Sequence, residues 1–436
     1  MKSNNLRKTY IKYLFPTFGS MILFSTYSMV DGIFVGRGVG AEGLSAVNIS
    51  MPFVSLIFAI AMLISIGCSN LITYELGKKN LEKADEYFSI GIFLGAGIGI
   101  TLSIISIINI RSLSYLLGAR GELIDLVVEY LGVIVLFAGF YILTYMFEIM
   151  VKADGEPRLA IIFMIVSALT NIVLDYVFIF IFNWGIKGAA IATGISQLLP
   201  CVFYFIYFLS KYSKLKLRKF SISLKELKRI LTYGVPASLT ELSTGATISF
   251  FNIIISKYYG IVGLTAFSVI VYVLNLVVNT MISINQSSQP LVTYNLGSGN
   301  IENVNRLKKK QFITIIVMSL FFFLLAQIIS ETLVKIFLGE TDLEFLKFAV
   351  KTIRIFSLSF LIIGLNIGIG GFLTSIKRPK YEFIISILRG YILVFISVNI
   401  MPIIFGKEMI WASLLISEFI TLIISYYLLQ KSKIKK

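Results

Sequence analysis

The chain has 436 residues, of which 57% are hydrophobic and 14% charged. A soluble protein carries about 45–50% and about 25%, so no soluble fold of this length could hide so much apolar surface. Lysine and arginine outnumber aspartate and glutamate 39 to 23, a net charge of +16, and histidine is absent, which excludes a histidine metal site, a Ser-His-Asp triad and a histidine proton relay. Two cysteines, Cys68 and Cys201, lie too far apart in sequence to suggest a zinc cluster or a disulfide framework.

A membrane helix needs about 20 mostly apolar residues. Twelve such stretches follow in chain order, at 11–37, 46–76, 87–110, 123–150, 159–182, 187–210, 229–256, 264–296, 312–336, 347–375, 381–405 and 408–430. None shows the two-residue alternation of an outer-membrane strand. The first is too long for a signal peptide, carries Pro16 and Asp31, and is followed by no small-residue cleavage site. The expected fold class is an all-α integral membrane protein of twelve transmembrane helices.

The basic residues orient these spans. The N-terminus, the even-numbered loops and the C-terminus hold 28 lysines and arginines, and the odd-numbered loops hold 8. By the positive-inside rule both termini are expected in the cytoplasm of a multi-pass membrane protein. Basic residues that alternate with apolar spans are an orientation signal, so no nucleic-acid partner is implied. The bilayer itself is the expected partner.

The two halves repeat. Shifting the chain by 220 residues superposes Leu71–Glu82 on Leu291–Glu302 with seven of twelve positions identical. The same shift pairs Pro16 with Pro236, and Gly40, Gly43, Leu44 and Ala46 with Gly260, Gly263, Leu264 and Ala266. A shift of 222 pairs Pro157-Arg158 with Pro379-Lys380. Six spans per copy make the repeat parallel, as in two-lobed secondary transporters. The expected domains are a first lobe at 1–210, a basic cytoplasmic linker at 211–228 that anchors to the anionic leaflet, and a second lobe at 229–436. Pro16 and Pro236 either bend helices 1 and 7 or mark helix starts at the membrane edge.

Charges inside spans are costly and mark a pathway or a site by default. Asp31 lies late in span 1, Asp175 late in span 5, Glu241 midway along span 7 and Glu418 midway along span 12. Counted from the outer ends at 1.5 Å per residue, Asp31, Asp175 and Thr193 of span 6 all fall about 9–10 Å below the outer boundary. Asn171 precedes Asp175 by four residues and shares its helix face. The group offers hard oxygens to Na⁺, and a close carboxyl pair shares a proton more readily than it holds two negative charges. Glu418 is expected to pair with Arg389, Glu148 to face the cytoplasmic interface, and Lys351 and Arg354 to be interfacial. Glu241, Gln286 and Asn366 are further candidates for substrate or cation contact.

Val30–Pro52, Lys152–Ala160, Asn171–Gln197 and Gln286–Asn300 resemble, in the right order and over nearly the whole chain, the multidrug and toxic compound extrusion (MATE) family. That resemblance implies a V-shaped, monomeric transporter, not an enzyme. It would expel small organic cations and drugs in exchange for Na⁺ or H⁺ and need no cofactor beyond that ion. In members whose cation site is in the first lobe, the motif positions match Asp31, Asn171, Asp175 and Thr193, and a helix-7 glutamate of others matches Glu241. Two positions depart from the family pattern: Tyr176 stands where proline often follows the helix-5 aspartate, and helix 10 carries Asn366 in place of one branch's carboxylate. The rival readings are a flippase for lipid-linked saccharides, disfavoured by mainly acidic charges inside the spans, and a non-transporting receptor or scaffold.

Overall fold

The structure, a computed structural model, describes residues 6–119, 121, 123–338 and 342–432. Its first six long helices are α1 Leu6–Gly38, α2 Ala41–Gly77, α3 Leu81–Ile108, α4 Leu123–Asp154, α5 Pro157–Ile181 and α6 Gly185–Leu209. A continuous helical run from Leu224 then breaks at Gly260, whose φ of 59° and ψ of −146° are non-helical, a conformation glycine adopts without steric cost. Its two parts are α7 (224–259) and α8 (Val262–Gly297). The chain continues with α9 Ile301–Leu338, α10 Leu343–Ser375, α11 Pro379–Phe405 and α12 Lys407–Lys431.

Each of the twelve apolar stretches overlies one of these helices, and several helices overrun them. α9 starts at Ile301, eleven residues before its apolar stretch. Hydropathy reports only the apolar part, whereas the intrahelical hydrogen bonds continue into polar sequence. Among the described residues, ten helices are long and apolar enough to cross a membrane. The two others, α1 and α7, are also of spanning length, and they are the matching first helices of the two repeats. Pro16 and Pro236 both lie well inside their helices, so neither marks a helix start.

The helices are apolar on their outer faces. In α9, Ile313, Ile316, Val317, Leu320, Phe321, Leu324 and Ile328 are exposed, while Ser319 and Ser330 are buried. An exposed apolar stripe at three- and four-residue spacing is suited to lipid and not to water.

The chain forms two compact units, one comprising Arg7–Ser238 with Gly297–Gly299 and the other mainly Leu239–Leu296 and the chain from Asn300 onward. In the first, α4 is central and packs on α2, α3 and α6. It approaches α3 so closely that a Cβ on Gly99 would stand 2.5 Å from the Cα of Gly139. In the second, its repeat mate α10 packs on α9, α11 and α12.

The repeat extends to the turns. Asn80 and Asn300 cap α3 and α9 identically: their side-chain oxygens accept from Lys83 N (3.2 Å) and Asn303 N (3.0 Å). Their own N–H groups bond back to Glu75 O and Asn295 O, both at 2.9 Å. Gly155 (φ 106°) and Lys377 (φ 64°), 222 residues apart, form the turns before α5 and α11.

The segment from Lys211 to Ser223 crosses the first unit as an extended strap. Asp154 accepts from the backbone N–H groups of Lys214 (3.0 and 3.2 Å) and Leu215 (3.1 Å), Asp85 from Lys216 N (2.9 Å), and the Ser89 hydroxyl from Arg218 N (2.9 Å). Carboxylates thus hold its main chain, which leaves the side chains of Lys211, Lys214, Lys216 and Lys219 exposed.

Candidate functional site

In the first unit, α5 presents a buried stripe of Ser167, Ala168, Asn171, Asp175 and Ile179, while Val173 and Tyr176 on its opposite face are exposed. Helical periodicity therefore turns Asn171 and Asp175 inward together. α6 supplies Thr193, whose hydroxyl donates to Ala189 O (2.9 Å) and accepts from the Asn171 amide (3.4 Å). α1 supplies Asp31, within hydrogen-bonding reach of Asp175. The three residues placed at one depth by the sequence, and Asn171 one turn from Asp175, do meet.

Their donor balance is unusual. Asp31 Oδ1, Asn171 Oδ1 and both carboxyl oxygens of Asp175 are buried without a hydrogen-bond donor. A buried polar atom left so costs about 1–3 kcal/mol, and a charged one more. Two carboxylates facing one another have no hydrogen to exchange, so what would satisfy them is a cation: a shared proton, or a metal ion reached by both carboxyls and the carboxamide.

Immediately after Asp175, α5 widens into a π-helix at Tyr176–Ile181. Such widened turns frequently accompany functional sites. Tyr176, Phe180 and Phe34 of α1 cluster there, with ring centroids 5.7–6.5 Å apart.

The second unit places its buried charges differently. Arg389, Glu418 and Asn366 form a bonded triad: Arg389 Nε donates to Glu418 Oε1 (3.0 Å), and Asn366 Nδ2 to Glu418 Oε2 (2.6 Å) and to Glu418 O (2.8 Å). The expected Arg389–Glu418 pair is therefore present, and Asn366 belongs to it, with its Oδ1 left without a donor. Arg389 lies in the π-helical turn Leu388–Ile392 of α11. Beside the triad is a cavity of ≈ 20 Å³, room for about one water, lined by Ser243, Thr244, Thr247, Arg389, Gly390 and Glu418. Glu241 is half-buried on α7 and Gln286 is buried on α8, and neither is part of the triad.

The interfacial assignment of Glu148 is corrected. Glu148 is 7% and Lys152 1% exposed, and they form a 2.7 Å ion pair one turn apart within α4. The i,i+4 spacing was legible, but the burial was not. Lys351 does lie at the surface, paired with Glu408 at 2.8 Å. A buried glutamate that sequence reading passed over, Glu382, sits in the first turn of α11 and accepts a hydrogen bond from Thr374. Its only sequence signal was a lone carboxylate at the edge of an apolar run.

Polytopic helices in two repeats, with unpaired carboxyls buried within one of them, are the build of a secondary transporter. The MatE family model matches residues 16–177 and 236–401, and the chain belongs to the MATE family of transporters. Among its relatives, multidrug export protein MepA of Staphylococcus aureus is 26% identical over 416 residues, covering 94% of this chain and 90% of MepA. The MepA of Staphylococcus saprophyticus is 26% identical over 421 residues, covering 96% and 92%. A solved outward-facing multidrug resistance MATE transporter shares the fold with a TM-score of 0.91 at 22% identity, over 98% of this chain and 95% of that one. A transporter from Pyrococcus furiosus, described as having a binding pocket of reversed polarity, shares it with a TM-score of 0.90 at 22% identity, over 99% and 98%.

Proposed function

We propose that the protein is a multidrug exporter that expels small organic cations in exchange for Na⁺ or H⁺, with the coupling cation held by Asp31, Asn171, Asp175 and Thr193. The observation that carries this reading is the set of four buried oxygens without donors on α1 and α5. The export names of the relatives support the direction and class of transport. In this reading the two lobes alternate access in a monomer of the bacterial plasma membrane whose termini are both cytoplasmic, as the 28-to-8 split of basic residues indicates.

The chain's own residues supply the coupling as follows. Asp31 and Asp175 provide negative charge at one level, and the Asn171 carbonyl and Thr193 hydroxyl add neutral oxygens. A cation that binds there more tightly in one access state than in the other shifts the balance between the states by that difference. Because α1 carries Asp31, cation binding and release bear directly on the packing of α1 against α5. The exposed rings of Tyr176 and Phe180 offer π-faces to a flat cation. Glu241, Gln286 and the Asn366 carbonyl are the second-lobe polar groups assigned to substrate or cation contact.

A lipid-linked saccharide flippase would call for a net positive cavity to receive a phosphate. The one arginine of the second-lobe cavity is neutralised by Glu418, which favours the exporter.

The deciding measurement is efflux of a fluorescent organic cation from proteoliposomes under an imposed Na⁺ or H⁺ gradient. Wild-type protein should respond to one gradient, and Asp175→Asn should lose that response while still inserting and folding. Failure of both gradients to drive the wild type would overturn the antiport reading. Normal coupling in Asp175→Asn would overturn the site alone.

A further inference from the structure

The two lobes treat one junction, between the fourth and fifth helix of each repeat, in complementary ways. The 222-residue offset pairs Glu148 with Gly370, Lys152 with Thr374 and Ala160 with Glu382. In the first lobe the carboxylate comes from α4 and carries its own lysine, 2.7 Å away, while α5 offers only Ala160. In the second lobe α10 offers Gly370, and the carboxylate comes from α11. A Cβ on Gly370 would stand 3.2 Å from Glu382 Cγ and 3.6 Å from its Oε1. Glu382 therefore occupies the space that a side chain at the Glu148 position would claim. The lysine has been replaced by Thr374, whose hydroxyl donates to Glu382.

The result is a carboxyl group, 9% exposed, without a counter-charge. Among the described residues Glu382 is in no ion pair. Of the neighbouring elements, α9 packs on α10 and contributes Lys308, whose ammonium lies 5.4 Å from the ring centroid of Phe372. α12 contributes Glu418, committed to Arg389 of α11 and Asn366 of α10. The turn before α11 contributes Lys377 and Arg378, and neither is ion-paired to Glu382. On α7, Thr240 meets Ser386, one turn along α11 from Glu382 (2.9 Å), and Glu241 follows Thr240. An ionised carboxylate so buried and uncompensated is costly, and its remedy is a cation. One carboxyl and one hydroxyl are too few oxygens to replace the hydration shell of a metal ion, whereas a proton needs a single oxygen.

We propose that Glu382 is a second cation-carrying carboxyl of the transporter, in the second lobe, and that its ligand is a proton. It takes that proton from water at the α10–α11 turn, becoming neutral, and returns it there as carboxylate and hydronium, so no other reactant is needed. The use of this proton in drug export rests on the antiport reading above, but its uptake does not.

The test is infrared difference spectroscopy of the full-length protein in lipid, titrated with pH, following the carbonyl stretch of protonated carboxyl groups. Wild type and the Asp31→Asn/Asp175→Asn double variant should share a titrating band that Glu382→Gln lacks. Thr374→Lys, which installs the ion pair of the first lobe, should abolish the same titration by fixing the carboxylate charged. It also stands in should Glu382→Gln fail to fold. A band that survives Glu382→Gln, or one that never changes over the pH range in which the protein stays folded, overturns the proposal. The second outcome would make Glu382 a permanently neutral hydrogen-bonding group. Because the double variant lacks the first-lobe carboxyls, failure of the first-lobe site leaves this result unaffected.

Discussion

The two lobes share a pattern of helices and turns but put their buried polar groups at different levels. Asp31, Asn171, Asp175 and Thr193 of the first lobe correspond by the repeat offsets to Phe251, Leu393, Ser397 and Leu415. Phe251 is packed into a ring cluster with Phe267 and Phe356, at centroid distances of 5.4 and 5.6 Å. Conversely, Asn366, Arg389 and Glu418 correspond to Thr144, Ser167 and Ser196. There the first lobe makes neutral bonds, from Thr144 to Gln197 O and from Ser167 to Ser196 O, both 2.7 Å. At these positions the first lobe thus holds charge that its own side chains leave unsatisfied, and the second holds charge that they satisfy. Duplicated scaffolds can diverge in this way because interhelical geometry is fixed by small residues and apolar packing. The polar layer can then move by a turn without altering the fold.

Substitutions can break that contrast, and the largest effect should fall on the satisfied charge. Glu418→Ala would leave Arg389 buried and unpaired, for a loss of about 3–5 kcal/mol in stability, read as a lower thermal midpoint in detergent. Joint replacement, Glu418→Leu with Arg389→Met, should recover most of it, because removing both ions also removes their desolvation cost. A Glu418→Ala variant as stable as wild type would mean the triad contributes nothing to the second lobe.

The same kind of substitution should have the opposite sign in the first lobe. Asp175→Asn removes one of two facing carboxyls and should raise thermal stability by about 1 kcal/mol, the usual exchange of function for stability at a strained site. If Asp175→Asn were instead as damaging as Glu418→Ala, the first-lobe carboxyls would be structural partners, and the contrast between lobes would collapse.

The smallest effect belongs to the neutral junction. Ser167→Ala should cost about 0.6 kcal/mol, the average for an interhelical hydrogen bond in a membrane protein. A loss several times larger, measured in the same unfolding assay, would show that the Ser167–Ser196 contact carries more than its hydrogen bond.

Much of this was written in the linear pattern. The apolar runs located the helices because a bilayer fixes how long a run must be. The repeat offsets anticipated paired turns, and the four-residue spacing of Asn171 and Asp175 put both on the inner face of α5. The Arg389–Glu418 pair followed from two lone charges in adjacent spans of one lobe. What escaped were features that depend on depth of burial and on neighbours distant in sequence. Lys152 reads as a cytoplasmic lysine until its 1% exposure is known. Glu382 draws no notice in the sequence until Gly370 is seen to make room for it. The linker reads as a basic anchor to the anionic leaflet, and nothing in the sequence tells that Asp154 and Asp85 hold its backbone.

Sequence by itself determined that the chain is a duplicated, membrane-spanning helical protein, and which few charges had to be explained. These properties follow from hydrophobic length and from periodicity, which are local. Tertiary structure decided which of those charges are satisfied. Glu148, Glu418, Asp175 and Glu382 are all acidic side chains in or at the edge of apolar helices. Whether each is an ion pair, a bonded triad, an unsatisfied dyad or a lone carboxyl depends on what a neighbouring turn or helix brings within about 3 Å of it, and hydropathy does not encode that distance.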